Sequence, residues 1–113
     1  MSRAEFELHV TESDGVATSG EVTVMGEVDA SNVHVFTRSL LDLPVARPII
    51  LQLSSIKYLD SAGFAALDRL LAEDAIVIVL APDSFMYRVA ELMCMPIHHD
   101  AEAARRVLQN GAG

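Results

Sequence analysis

The residues best placed by type and spacing to do chemistry stand together at Asp60-Ser61-Ala62-Gly63, a polar step between an apolar run ending at Leu59 and an Ala/Leu-rich stretch from Phe64. Asp is a good N-cap and Ser is tolerated in the first helical turn. The Ser61 hydroxyl is therefore expected among backbone N–H groups that have no partner inside the helix. Such a helix start accommodates negative charge. Ser61 can take a phosphate without damage to the fold, and the added charge would change what docks on that surface. The plainer reading of the same residues is a helix cap and nothing more, since Ser and Asp are common at helix starts.

Other chemistries are less well served. Ser61 with His98 or His99 and an aspartate has the makings of a hydrolase triad, but Gly-x-Ser-x-Gly is missing and no segment offers an evident oxyanion loop. His98-His99-Asp100 holds metal-ligand types, yet neighbours in an extended segment point to opposite faces. No glycine loop suits the cradling of a nucleotide's phosphates, so the chain is a better kinase substrate than nucleotide hydrolase. No catalytic residue, metal site or cofactor is assigned. Cys94, in the apolar run Met93-Cys94-Met95, reads as a buried structural thiol.

Composition narrows the partners. The chain of 113 residues suits one domain, with 51% hydrophobic residues, no Trp and a core of aliphatic side chains and Met. Sixteen acidic against eight basic residues give a formal charge of −8, with no Lys/Arg cluster. Direct nucleic-acid binding is not expected, because it draws most of its affinity from basic groups on phosphates. A basic or mixed protein surface is the expected partner. One cysteine matches a reducing compartment. The first residues lack a signal peptide's apolar run and no segment approaches a membrane span, so a cytoplasmic protein without membrane insertion is expected.

The elements that must position Ser61 follow from periodicity. Phe6, Leu8 and Val10 alternate with polar residues as a half-buried strand, Glu12-Ser13-Asp14-Gly15 supplies a turn, and a second strand from about Gly20 to Val28 completes a hairpin. Asp29-Ala30-Ser31-Asn32 starts a helix with Val33, Phe36 and Leu40, joined by Leu41 or Leu43, on its inner side and His34 and Arg38 outside; Pro44 and Pro48 bracket its exit. Ile49–Leu53 is a central strand, and the Ser61 segment comes directly after it. In the helix that begins there, Phe64, Leu67, Leu70 and Leu71 should face the sheet, leaving Ser61, Ala65, Asp68 and Ala72 outside with Ala62 and Arg69 along the margin. That small-residue face lets another backbone approach closely, although Ala is also simply the best helix former.

Ala75–Leu80 reads as the next central strand. Ala81-Pro82-Asp83-Ser84 starts a helix with Phe85, Val89 and Leu92 inward, and Met86, Met93 and Met95 read as core filler. Ile97-His98-His99 is a short edge strand, and Asp100 caps a last helix with Ala104, Val107 and Leu108 inward, ending around Asn110-Gly111. The fold class is α/β: a single domain over residues 1–113, with a mixed sheet of four to five strands and about four helices mainly on one face.

The segment Leu51-Gln52-Leu53-Ser54-Ser55-Ile56-Lys57-Tyr58-Leu59-Asp60-Ser61-Ala62-Gly63-Phe64-Ala65-Ala66-Leu67 resembles the signature of STAS domains, in particular bacterial anti-sigma factor antagonists, and Gly26-Glu27-Val28-Asp29-Ala30 resembles a second family signature. The resemblance runs from about residue 5 to residue 109. It implies partner switching. Ser61 would be phosphorylated by a cognate anti-sigma factor, itself a serine kinase that binds the ATP; the unphosphorylated antagonist would bind that kinase and free its sigma factor. A serine phosphatase would reset the switch. Asp29 matches a family acid near the phosphorylation site and Asp60 the residue preceding the serine. The partner-binding set is then Asp29, Asp60, Ser61, Ala62, Gly63, Ala65, Asp68 and Arg69. Two departures stand out: Gln52 replaces an Asp or Asn of many members, and Met93-Cys94-Met95-Pro96 lacks a Thr-Gly-Leu common after the third helix. The alternative within the family is a STAS regulatory subunit of a membrane-associated ABC-type transport or other signalling complex.

Overall fold

Alternation of apolar and polar residues builds the first two strands. The computed structural model describes residues 4–11 and 20–111, and within them β1 (Phe6–Thr11) and β2 (Glu21–Val28) pair antiparallel, with Phe6 opposite Gly26 and Thr11 opposite Glu21. The expected turn at Glu12–Gly15 lies outside the described residues. Val22, Val24 and Val28 are buried as the alternation requires, whereas Val10, expected inward, is exposed near the outer end of this edge strand.

The remaining elements are α1 (Val33–Leu41), β3 (Ile49–Gln52), β4 (Ile56–Leu59), α2 (Ser61–Ala72), β5 (Ile76–Val79), α3 (Phe85–Leu92), β6 (Ile97–His98) and α4 (Ala101–Gly111). β4 has no counterpart in the sequence pattern, which runs the third strand straight into the Ser61 segment. Both β3 and β4 lie parallel to β2, the first beside Glu21–Thr23 and the second beside Gly26–Val28. They form one interrupted row. The interruption is held by polar groups: Gln52 Oε1 accepts from the Ser54 backbone N–H at 2.9 Å and from the Ser54 hydroxyl, whose oxygen accepts from Ala81 N–H at 2.8 Å. The sheet runs β1-β2-β3-β5-β6 with β4 on β2, parallel everywhere except at β1. The chain is thus a single α/β domain with a mixed sheet.

One face carries α1, α2 and α3. Phe36 and Leu40, Phe64, Leu67 and Leu70, and Met86 and Ala90 pack there with Val22, Val24, Ile49, Leu51, Ile76 and Ile78. α4 covers the opposite face, where Ala104 meets Ile50 and Val79, with Ala101, Leu108 and Val77 at the margin. Burial on both faces explains why β3 and β5 are near-continuous apolar runs. No helix among the described residues is long and apolar enough to cross a membrane.

One helix sits in a different rotation from the one expected. In α3, Phe85, Val89 and Leu92 are exposed, and Met86 and Ala90 are buried instead. The cause lies at its ends. Ser84 caps the start by accepting from Met86 N–H, and the exit is a Schellman turn in which Met95 N–H bonds Ala90 O and Cys94 N–H bonds Glu91 O, each at 3.0 Å. This turn buries Met95 and aims the chain at β6, while leaving Met93 and Cys94 exposed. Cys94 is therefore not the buried thiol expected from its apolar neighbours. In α4, Ala104 and Leu108 face the sheet as expected, joined by Ala101, and only Val107 of the expected set is exposed.

Candidate functional site

Parallel pairing of β2 and β4, with Val28 beside Leu59, brings the two strand exits together, so the residues that follow each strand are neighbours. Asp60 joins them. Its backbone N–H reaches Val28 O at 3.3 Å, its Oδ2 accepts from Ala30 N–H at 3.2 Å, and its Oδ1 accepts from Gly63 N–H at 3.0 Å. The last of these is the side-chain cap of α2, and Phe64 N–H to Asp60 O at 2.9 Å closes the first helical turn. Among the described residues, the N–H groups of Ser61 and Ala62 have no partner in the chain. Ser61, at the first helical position, is exposed.

Two glycines set this geometry. Gly63 is buried, and a Cβ there would run into the Leu59 side chain, so a bare backbone is what lets α2 turn so closely over β4. Gly63 thus supports the site from beneath. Gly26 has φ +93°, a left-handed value at which a Cβ would strike Glu5 O. Beside it the β2–β4 register slips, Gly26 facing Ile56 and Glu27 facing Tyr58, which leaves Lys57 as the extra residue of a bulge. The bulge sets the register of Val28 and Leu59, and hence of the two loops.

The other loop is a knot of local bonds. Asp29 Oδ1 accepts from Ser31 N–H at 2.8 Å and from the Ser31 hydroxyl, while Asn32 Oδ1 accepts from Asp29 N–H at 2.9 Å. The Ser31 hydroxyl is the chief reason the Asp29 carboxyl lies below the ordinary carboxylate range, followed by the Ser31 backbone N–H. Asn32 does not cap α1 with its side chain. Its Nδ2 is turned back to Glu27 O at 2.9 Å and Ala4 O at 3.0 Å, fastening the start of β1 to the loop. Ser31 and Asn32, read from the sequence only as helix-start types, thus hold the shape of this loop, and the Asp-x-Ser-Asn spacing carries the signal.

From this corner α2 presents Ser61, Ala65, Asp68, Arg69 and Ala72 to solvent, with Ala62 half-buried and Phe64, Leu67 and Leu70 inward; Leu71 is only half-buried. The surface is open. A groove of about 1060 Å³ lined by Ser31, Asn32, Met25, Val35 and Lys57 lies beside it, but Ser61 faces outward from an exposed position and not into a cavity. Such an arrangement leaves the hydroxyl open at the surface and does not enclose a small substrate. The histidines are elsewhere: His98 is in β6, His99 Nε2 lies 3.0 Å from the Tyr87 hydroxyl, and Asp100 Oδ1 accepts from Ala103 N–H at 2.7 Å as the cap of α4.

Residues 7–80 match the model of the STAS domain, which is well over half of the chain. The chain belongs to the STAS domain family. The match ends before α3, so the elements beyond it rest on the fold. That fold is shared with the crystal structure of an anti-sigma factor antagonist from Mycobacterium paratuberculosis, at a TM-score of 0.65 and 19% identity over 93% of this chain and 95% of that one. No curated protein matches the chain by sequence. Within this STAS domain, Asp29 and Asp60 are brought to adjoining loops and Ser61 to the surface directly after Asp60.

Proposed function

We propose that the chain is an anti-sigma factor antagonist that works by partner switching in the cytoplasm. Unphosphorylated, it binds a cognate anti-sigma factor serine kinase and frees a sigma factor. Phosphorylated at Ser61 by that kinase, which holds the ATP, it lets go, and a serine phosphatase restores it. The observation that carries this reading is the exposed Ser61 at the start of α2, with two open backbone N–H groups beside it and Asp60 locking its turn to the Asp29 loop. The fold shared with an anti-sigma factor antagonist supports it.

Electrostatics makes the switch effective without a change of shape. A phosphoserine adds about −1.5 to −2 charges to a chain already at −8. The open N–H groups at the helix start offset its cost within the chain. A carboxylate of the partner about 5 Å away has no such offset: at an effective dielectric of about 20 the repulsion is roughly 3 kcal/mol per unit charge before screening. Each 1.4 kcal/mol, by the usual conversion, is about tenfold in affinity. The small residues along Ser61, Ala62 and Ala65 allow the kinase to come close, with Asp68 and Arg69 at the rim.

The test is incubation with the candidate anti-sigma kinases and ATP, with the phosphate mapped by mass spectrometry. Modification at Ser61 is expected. Ser61→Ala should keep binding and be insensitive to ATP, and Ser61→Glu should weaken binding by tenfold or more. Absence of phosphate at Ser61 with every cognate kinase would overturn the proposal.

A further inference from the structure

The sheet ends in two unlike edges. β6 is two residues long and follows directly on Pro96, so it offers almost no edge to pair with. β1 runs for six residues, contains neither proline nor lysine, and pairs with β2 in an unbroken register. Its outer side is open. Glu27 N–H bonds Glu5 O at 2.7 Å, so Glu5, Glu7, His9 and Thr11 turn their backbone groups toward β2, and those of Phe6, Leu8 and Val10 point away from it. The far side of β2 gives the same phase, since Ile50 N–H to Gly20 O at 2.7 Å commits the alternate residues of β2 to β3. Among the described residues, the backbone groups of Phe6, Leu8 and Val10 have no partner.

We propose that β1 pairs antiparallel with β1 of a second copy about a twofold axis through Leu8, joining the two sheets into one. The residues of the strand select that occupant. With the axis at Leu8, Glu7 stands opposite His9 of the other copy and Glu5 opposite its Thr11, so each carboxylate meets a hydrogen-bond donor and each pairing occurs twice. The outward N–H and C=O groups of Phe6, Leu8 and Val10 are all used. Val10 lies on the core side of the strand and is yet 41% exposed; Phe6 of the other copy would lie beside it. Phe6 packs on Phe36 of α1 while it and Leu8 stay half-buried, so the helix does not overhang the edge. Other registers fit less well. An axis at Glu7 sets the two Glu7 carboxylates against each other, and an axis at His9 leaves Phe6 opposite a position beyond the end of the strand. An edge complementary to itself is what an isologous dimer requires. A contact of one strand per copy is at the small end of specific interfaces, so the association is weak.

Sedimentation velocity of the full chain from about 5 to about 500 µM, a range suited to a small interface, tests this, with reductant present so that the exposed Cys94 thiol does not link copies. The mass is expected to rise with concentration from 12.2 kDa toward twice that value. Over the same range, amide exchange followed by NMR should slow at Phe6, Leu8 and Val10 and stay unchanged at Glu7 and His9, whose N–H groups already bond β2. Val10→Pro removes only an outward N–H, as an edge strand tolerates, and should hold the chain monomeric with an unchanged circular dichroism spectrum. His9→Glu sets carboxylate opposite carboxylate twice and should weaken association about tenfold, and Glu7→Arg added to it should restore it. A chain that stays monomeric at the highest concentration overturns the proposal. So does a dimer indifferent to Val10→Pro, as one formed through the exposed side chains of α3 would be. Failure of Glu7→Arg to rescue His9→Glu overturns the axis at Leu8.

Discussion

Asp60 carries more of the site than the residue it precedes. Its two carboxylate oxygens serve different loops, one capping α2 at Gly63 and one holding Ala30 N–H. Asp60→Ala removes both and should cost about 1–2 kcal/mol, in line with loss of an N-cap and a loop hydrogen bond. Asp60→Asn keeps one acceptor and should fall between. Urea denaturation of the three chains measures this, and equal midpoints would deny Asp60 its bridging role. Asp29 adds a pH dependence. Its folded carboxyl lies below the ordinary value, first because of the Ser31 hydroxyl. A depressed acid stabilises the fold above its unfolded pKa of about 3.9, and that contribution is lost as pH falls through the lower folded value. Below about pH 4, the wild-type urea midpoint should therefore fall more steeply than that of Asp29→Asn, with Ser31→Ala intermediate. Parallel curves would contradict this. The Ser61 corner was legible from residue types because N-caps and Asx turns are local chemistry. The Asp60–Ala30 bond was not, since it spans thirty positions and depends on strand pairing.

At the scale of the element, ends decide more than periodicity does. α2 matched its expected rotation because its start was fixed by Asp60 and its inner residues are large. α3 did not. Its apolar residues outnumber what one face can bury, so Phe85, Val89 and Leu92 fit a helical stripe as well as Met86 and Ala90 do, and the choice between stripes was made by the Schellman turn and the course into β6. β4 leaves little trace in the pattern because only two of its four residues are buried. The Schellman exits supply a prediction. Asp74 and Cys94, at φ +57° and +55°, hold the left-handed position that glycine fills without strain. Cys94→Gly should raise stability by about 0.5–1 kcal/mol and remove the exposed thiol. A fall in the denaturation midpoint would show that the Cys94 side chain makes contacts outweighing the backbone strain. Asp74→Gly should gain less, because aspartate tolerates this conformation better.

For the molecule as a whole, the two faces of the sheet are unequal, and this bears on how the domain opens. The face under α1, α2 and α3 holds most of the buried side chains, including Phe36, Phe64, Leu67 and Leu70, and it anchors the helix that presents Ser61. The face under α4 rests on Ile50, Val79 and Ala104, with Val77, Ala101 and Leu108 half-buried around them. That asymmetry is only partly legible in the sequence: the continuous apolar runs of β3 and β5 mark central strands covered on at least one face, but nothing in them says that a helix crosses to the far side. Local stability follows the amount of apolar surface an element buries. α4 should therefore detach in a smaller opening than the one that unfolds the sheet, while the Ser61 corner stays intact. In hydrogen exchange read by mass spectrometry, amides of α4 are expected to exchange faster than those of β3, β5 and α2 under native conditions. Ala104→Asp should accelerate exchange across α4 while leaving exchange at Ser61–Leu67 unchanged. Equal protection of α4 and α2, or loss of protection across both in that variant, would mean that the domain opens as one unit and that the Ser61 corner depends on the far face after all.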